Sequence, residues 1–190
     1  MFTRDLVIFD VESTGLDVSK HEIIQIAGIR LHKDTLAEVS RFTTYVKPTR
    51  WEEQMPAAME VNKITFDKLE KAPQIAEALK EFETHFPPEE VMLTAYNAPF
   101  DTGFFRQSYI QQGRQAPYEY HTFDIWSLAY LYWSSVPHKN NPTKPIGFGL
   151  SDMAELLKIP PAETYHEALA DCEIEAEVLR KLLGKLEIRN

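Results

Sequence analysis

A chain of 190 residues, 44% hydrophobic and 26% charged, fits one domain (1–190) whose core needs no disulfide. Its single cysteine, Cys172, excludes an internal disulfide and a multi-cysteine zinc site. The net charge of −9 argues against a module that grips nucleic acid through phosphate contacts alone, since such modules are usually basic. It leaves open an enzyme whose bound metal ions supply the positive charge, and equally a protein with no nucleic-acid role.

Met1 leads within a few residues into the apolar run Leu6-Val7-Ile8-Phe9, which predicts a buried strand. No signal peptide precedes it, and no apolar run approaches the roughly 18 residues of a membrane span. The expectation is a cytoplasmic protein without a membrane partner. Ser13 to Lys20 reads as loop, Ile23 to Leu31 as a second strand, and Val39 to Val46 as a third closed by Lys47-Pro48. Short connections make these three antiparallel.

The period then changes. From Pro73 to Phe86 the residues Ile75, Ala76, Leu79 and Phe82 form a helical stripe, with Pro87-Pro88 as a stop. Val91 to Ala95 is a fourth strand, followed by Asn97-Ala98-Pro99 and a helix to about Gln112-Gly113. Tyr118 to Phe123 reads as a fifth strand, Asp124 to Trp133 and Leu150 to Leu157 as helices. Between those helices the segment from Ser134 to Gly149 holds three prolines and two glycines, so it is a loop. A last helix runs from about Tyr165 to Leu183 with a buried stripe of Leu169, Cys172, Ala176, Leu179 and Leu183. Three strands followed by alternating helix and strand predict an α/β domain with a mixed sheet.

Three acidic segments stand out. Asp10 and Glu12 lie two apart at the end of the first strand, so both carboxylates point to one side. Alone, such a pair is more readily a solvated strand end with two surface charges. Asp101 falls in the first turn of the helix after strand four, where the helix dipole favours a carboxylate. A right-handed crossover can set strand four parallel to strand one, which brings Asp101 to the same rim. The third segment is His166-Glu167-Ala168-Leu169-Ala170-Asp171. Five residues of helix turn through about 500°, so His166 and Asp171 cannot face one site from one regular helix. The reading adopted has Asp171 on the helix and His166 in the preceding loop. Thr164-Tyr165-His166-Glu167 nevertheless has the form of a capping box, which would put His166 in the first turn.

Phe9-Asp10-Val11-Glu12-Ser13-Thr14-Gly15-Leu16, Tyr96-Asn97-Ala98-Pro99-Phe100-Asp101 and His166 to Asp171 resemble, in order and spacing, the three motifs of the DEDDh (DnaQ-like) 3′–5′ exonuclease family. That family includes the epsilon proofreading subunits of bacterial DNA polymerase III and related stand-alone exonucleases. The likeness runs from Leu6 to about Leu183. Tyr96 departs from it where many members carry histidine, and Pro99 stands in a slot often held by a small residue.

The resemblance implies a ribonuclease H-like fold with a five-stranded mixed sheet flanked by helices. It implies that Asp10, Glu12, Asp101 and Asp171 hold two divalent ions, Mg²⁺ or Mn²⁺, and that His166 is the general base. Ser13 and Thr14 would meet the 3′-OH, while Leu16 and Phe100 would pack on the last base. Asn97 would hold its loop or touch substrate, with the loop role favoured. The substrate would be a nucleic acid with a 3′ end, DNA before RNA, releasing nucleoside 5′-monophosphates. A polymerase partner is compatible with the resemblance but nothing in the sequence indicates one. The proline-rich loop from Ser134 to Gly149 has no ready match in that family; its expected place is the border of the substrate channel.

Overall fold

The computed structural model describes residues 2–50, 55–135, 149–161 and 167–186. Strands β1 (Asp5–Ser13), β2 (Ile23–Leu31) and β3 (Glu38–Tyr45) come first. Helices α1 (Met55–Asn62), α2 (Phe66–Glu70) and α3 (Ile75–His85) follow, then β4 (Val91–Ala95), α4 (Ala98–Gln111) and β5 (Phe123–Asp124). Helices α5 (Ile125–Ser135), α6 (Leu150–Leu156) and α7 (Ala168–Lys185) close the described chain. The five strands form one mixed sheet in the order β3-β2-β1-β4-β5. β1 is antiparallel to β2 and parallel to β4; β3 continues the antiparallel side and β5 the parallel side. This is the five-stranded mixed sheet that the family resemblance implies.

Each face of the sheet has its own core, and the alternation along β1 decides which residue goes where. Leu6 and Ile8 face α5, α6 and α7, where they pack with Ala27, Ile29, Met153 and Leu179. Val7, Phe9 and Val11 face α3 and α4 and an aromatic cluster centred on Phe82. The Phe82 ring lies 4.9 Å from Phe86, 5.1 Å from Phe105 and 6.4 Å from Phe9, all tilted or edge-on. Gly28, opposite Phe9 in β2, makes room for this cluster, since a Cβ there would come within 2.7 Å of the Phe86 ring. Cys172 is buried in the first core, a small apolar residue as expected. No described helix is long and apolar enough to cross a membrane.

Several boundaries differ from the sequence-based expectation. β1 continues four residues beyond Phe9, because β2 still pairs Asp10 with Ala27 and Glu12 with Gln25. β5 is two residues at 123–124 rather than a strand over 118–123; there the chain meets β4 only through Thr94 and Ala95. In α3 it is Ala78, not Ala76, that is buried with Leu79 and Phe82. Helix α7 starts at Ala168 with Glu167 as its N-cap, so the capping-box pattern at 164–167 does not begin the helix. Its buried face is also wider than one stripe: Ile174, Glu175, Val178 and Leu182 join Cys172, Ala176, Leu179 and Leu183, while Leu169 is only partly covered. Most of the proline-rich loop, residues 136–148, lies outside the described residues.

Candidate metal centre and nucleotide cavity

The site begins where two neighbouring strands end at different heights. β1 pairs with β4 only from Asp5 to Ile8. β4 stops at Ala95, and Asn97 turns the chain with φ +67° and ψ +49° into α4. Asparagine is among the few residues that take this left-handed conformation readily. β1 continues without a β4 partner, which leaves the Val11 N–H unmet on that side. It donates instead to Asp101 Oδ1 at 3.2 Å. Asp101 is 2% exposed in the first turn of α4, and its own backbone N–H also supports the carboxylate.

Asp10 and Glu12 share the β1 face of Leu6 and Ile8, and therefore look toward α7. Asp171 comes down from the first turn of that helix. One carboxylate oxygen from each of Asp10, Glu12 and Asp171 lies within 4.8 Å of the others. The phase of α7 is set by Gln25, which is opposite Glu12 in β2 and fully covered. Its Nε2 donates to Glu167 Oε1 at 2.6 Å, and its Oε1 accepts from the Ala168 N–H at 3.3 Å. Glu167 in turn accepts from the Ala170 N–H at 3.0 Å. A strand residue thus fixes the helix start, three residues before Asp171. His166 lies outside the described residues.

The electrostatics have one sign. Removal from water and the charges of Asp101, Glu175, Glu12 and Asp171 push Asp10 well above the ordinary carboxylate range. Burial and then Asp171 push Glu12 up to about 7, against a hydrogen bond from Asn62 that favours its charged form. Asp101 is pushed up to about 8 by burial, although the N–H groups of Val11 and Asp101 itself pull the other way. Among the described residues neither Asp10 nor Glu12 forms an ion pair. An all-oxygen, anionic set of this kind fits a hard divalent cation such as Mg²⁺ or Mn²⁺.

Two cavities open on the cluster. The larger, about 860 Å³, has Asp10, Glu12 and Asp171 at its base and Ser13, Thr14, Leu16 and Phe100 along its sides. The rest of its wall comes from α1, through Ala57, Ala58, Val61 and Asn62, and from the β1–β2 connection, where Asp17, Lys20 and His21 also face it. The volume and the apolar walls with a few polar groups at one end suit a small organic ligand such as a nucleotide. Leu16 is 83% exposed, an apolar side chain on the cavity wall. Ser13 and Thr14 are nearly covered, and their hydroxyls bind the loop itself: Ser13 Oγ donates to the Gly15 carbonyl at 2.6 Å, and Thr14 Oγ1 accepts from the Glu22 N–H at 3.1 Å. The smaller cavity, about 390 Å³, shares Asp10 and Asp171 and is completed by Tyr96, Asn97, Trp126, Gly149, Leu150 and Glu175. Asn97 is exposed there and makes no side-chain cap hydrogen bond; its contribution to the loop is its backbone conformation.

The sequence reading missed Asn62, Val61, Gln25 and Glu175. Asn62 and Val61 sit on α1, an eight-residue helix without a clear apolar stripe. Glu175 did have a signal, since it follows Asp171 by four residues and so shares its side of the helix.

A profile of the exonuclease family matches residues 7–179. A DNA polymerase III subunit epsilon-like protein of Rhodobacter capsulatus is 32% identical over 186 residues, covering 96% of this chain and 24% of that protein. A PolC-type DNA polymerase III of Oceanobacillus iheyensis is 27% identical over 186 residues, covering 98% of this chain and 12% of the relative. The chain therefore spans only a small part of the length of these relatives. Among solved structures, the nuclease domain of 3′hExo, a DEDDh family member bound to rAMP, superposes with a TM-score of 0.74 at 20% identity, covering 96% of this chain and 92% of that one. Exonuclease X in complex with 5′ overhanging duplex DNA gives 0.69 at 22%, covering 95% and 92%. At these identities the structures speak to the fold alone. The chain belongs to the exonuclease family.

Proposed function

We propose that this domain removes nucleotides one at a time from the 3′ end of DNA, using two divalent ions held by its carboxylates and His166 as general base. The observation that carries the reading is the convergence of Asp10, Glu12 and Asp171 within 4.8 Å at the base of a cavity of about 860 Å³. Asp10, Glu12 and Asp171 would hold one ion, and Asp10 would reach a second with Asp101 behind it. Bound there, such ions would lower the pKa of the attacking water and balance charge on the phosphate and the leaving oxygen.

The protein's own groups do the rest. Leu16, Phe100 and Val61 would pack on the terminal base, a contact that tolerates any sequence. The covered Ser13-Thr14 segment would offer its backbone to the 3′-OH. His166 would take the proton of the water as its oxygen bonds to phosphorus. The bond to the preceding O3′ breaks, so a nucleoside 5′-monophosphate leaves and the strand ends in a new 3′-OH. Work beside a polymerase is part of the proposal, supported by the names of the relatives.

The test is digestion of 5′-labelled DNA and RNA oligonucleotides with single-stranded, paired and mispaired 3′ ends, with Mg²⁺, with Mn²⁺ and with chelator. A ladder losing one nucleotide at a time from the 3′ end, abolished by chelator, is expected. Internal cleavage, or shortening of RNA only, would sink the assignment to DNA ends.

A further inference from the structure

Glu175 has no part in the mechanism above, yet among the described residues it alone has a buried side-chain oxygen without a hydrogen-bond partner. It lies one helical turn beyond Asp171 on α7 and is 2% exposed. The Tyr96 backbone N–H donates to its carboxylate. Its Oε2 is shielded from water and has no hydrogen-bond partner among the described residues. An unmet acceptor in such a place is costly. The charges that bear on it, from Asp101, Asp171 and Asp124, are all negative.

The same side chain lines the smaller cavity beside Asp10 and Asp171. That cavity, about 390 Å³, presents three carboxylates, the Tyr96 ring and Asn97 and, among the described residues, no cationic side chain. A cation would stabilise such an arrangement. Oxygen donors of this charge and hardness select a divalent one.

We infer that Glu175 is a further cation-holding carboxylate of the centre, facing a divalent ion that Asp10 and Asp171 hold from the side of the smaller cavity. Glu12 serves the same pair from the larger cavity. The inference rests on the proposal that the site holds divalent ions at all. Helix α7 would then supply two ligands one turn apart, Asp171 and Glu175. Glu175 also connects that ion to the β4–α4 turn through the Tyr96 N–H.

The experiment is titration of the whole chain with Mn²⁺, followed by calorimetry and by the paramagnetic signal of free Mn²⁺. Wild type, Asp10→Asn, Glu175→Gln and Glu175→Met are compared. The wild type should bind two ions, and Asp10→Asn should lose both. Glu175→Gln should keep one ion at near wild-type affinity and weaken the other roughly 10–100-fold. Glu175→Met, which replaces a buried charge with an apolar chain of similar length, is the second variant should the amide fold poorly. Melting temperature without metal should be no lower in either variant. Wild-type affinity for both ions in the two Glu175 variants overturns the inference. So does a lower metal-free melting temperature with unchanged Mn²⁺ binding, which would make Glu175 a tether for Tyr96 and nothing more. A wild type that binds no Mn²⁺ would refute the proposed function instead.

Discussion

Raising the pH from 5 to 8 should destabilise the metal-free protein, which is opposite to the effect of ordinary paired carboxylates. Glu12 rises from 4.5 to about 7 on folding, and Asp101 from 3.8 to about 8. Between the unfolded and folded values the native state carries more protons than the unfolded chain, so stability falls as pH climbs. At about 1.4 kcal/mol for each tenfold in proton affinity, Glu12 alone accounts for about 3 kcal/mol once pH exceeds 7. For a chain of this size that corresponds to a fall in melting temperature of roughly 6–12 °C. Asp101 carries the decline on toward pH 8. Asp5 and Glu38, held low mainly by hydrogen bonds and by Arg30 and Arg41, act below about pH 4.5 and leave this window clear. The assay is thermal unfolding followed by circular dichroism at several pH values, with chelator and with excess Mn²⁺. Metal at about 100 times its dissociation constant should add about 2.7 kcal/mol at pH 8, and far less at pH 5, where the ligands must first lose protons. Glu12→Gln should make the metal-free decline shallower, leaving the part due to Asp101. A melting temperature that stays level or rises from pH 5 to 8 without metal would refute the electrostatic argument.

Asp10→Ala should abolish nuclease activity while leaving the far-ultraviolet circular dichroism intact and the metal-free melting temperature undiminished, since it removes the carboxylate that every other acid in the site repels. His166→Ala should slow hydrolysis roughly 10²–10⁴-fold, the usual worth of a positioned base, with Mn²⁺ affinity in calorimetry unchanged. Gln25→Ala removes the acceptor of the Ala168 N–H and the donor to Glu167; denaturant unfolding should show a loss of about 1–3 kcal/mol, and Mn²⁺ should bind more weakly because Asp171 is no longer held in phase. Gly28→Ala drives a methyl to within 2.7 Å of the Phe86 ring, which Phe82 and Phe42 hold in place; a stability loss of about 1–3 kcal/mol is expected, with the cleavage pattern of surviving protein unaltered.

The parts legible in the sequence share one property: their periodicity is dictated by burial on a large scale. β2 and β4 lie between helical layers, so they read as apolar runs, and their limits match the structure residue for residue. Strand alternation set Asp10 and Glu12, two apart in β1, on one side; the wider carboxylate set was legible only through the family resemblance of the three motifs. What was lost lies where local signals are weak. α1 and α2 are short, and the walls they supply to the larger cavity are small or isolated residues such as Ala57, Ala58 and Val61. The supposed strand at 118–123 contains Tyr118, which is buried because it reaches the aromatic cluster and donates its hydroxyl to the Phe86 carbonyl at 2.8 Å. Burial there imitates a strand without the backbone being one. Glu175 was overlooked for a related reason. It sits within an apolar helix pattern, and a carboxylate is counted as an outward position unless something inside explains it.

The least legible feature, the extension of β1 past the end of β4, is also the one that generates the site. Had β4 run further in register, a main-chain carbonyl would meet the Val11 N–H, and Asp101 would have no donor to hold it against β1. Because β4 turns away at Asn97, a side-chain carboxylate takes the place of that carbonyl. Both satisfy the N–H, but only the carboxylate carries a charge. Its charge bears directly on Asp10, which lies one residue before Val11 on the strand and faces α7. The backbone need that recruits Asp101 thus raises the affinity of Asp10 for protons and, by the same field, for divalent cations. Sheet pairing at the rim and cation binding at its centre are therefore one arrangement. Shifting where β4 ends would change both together.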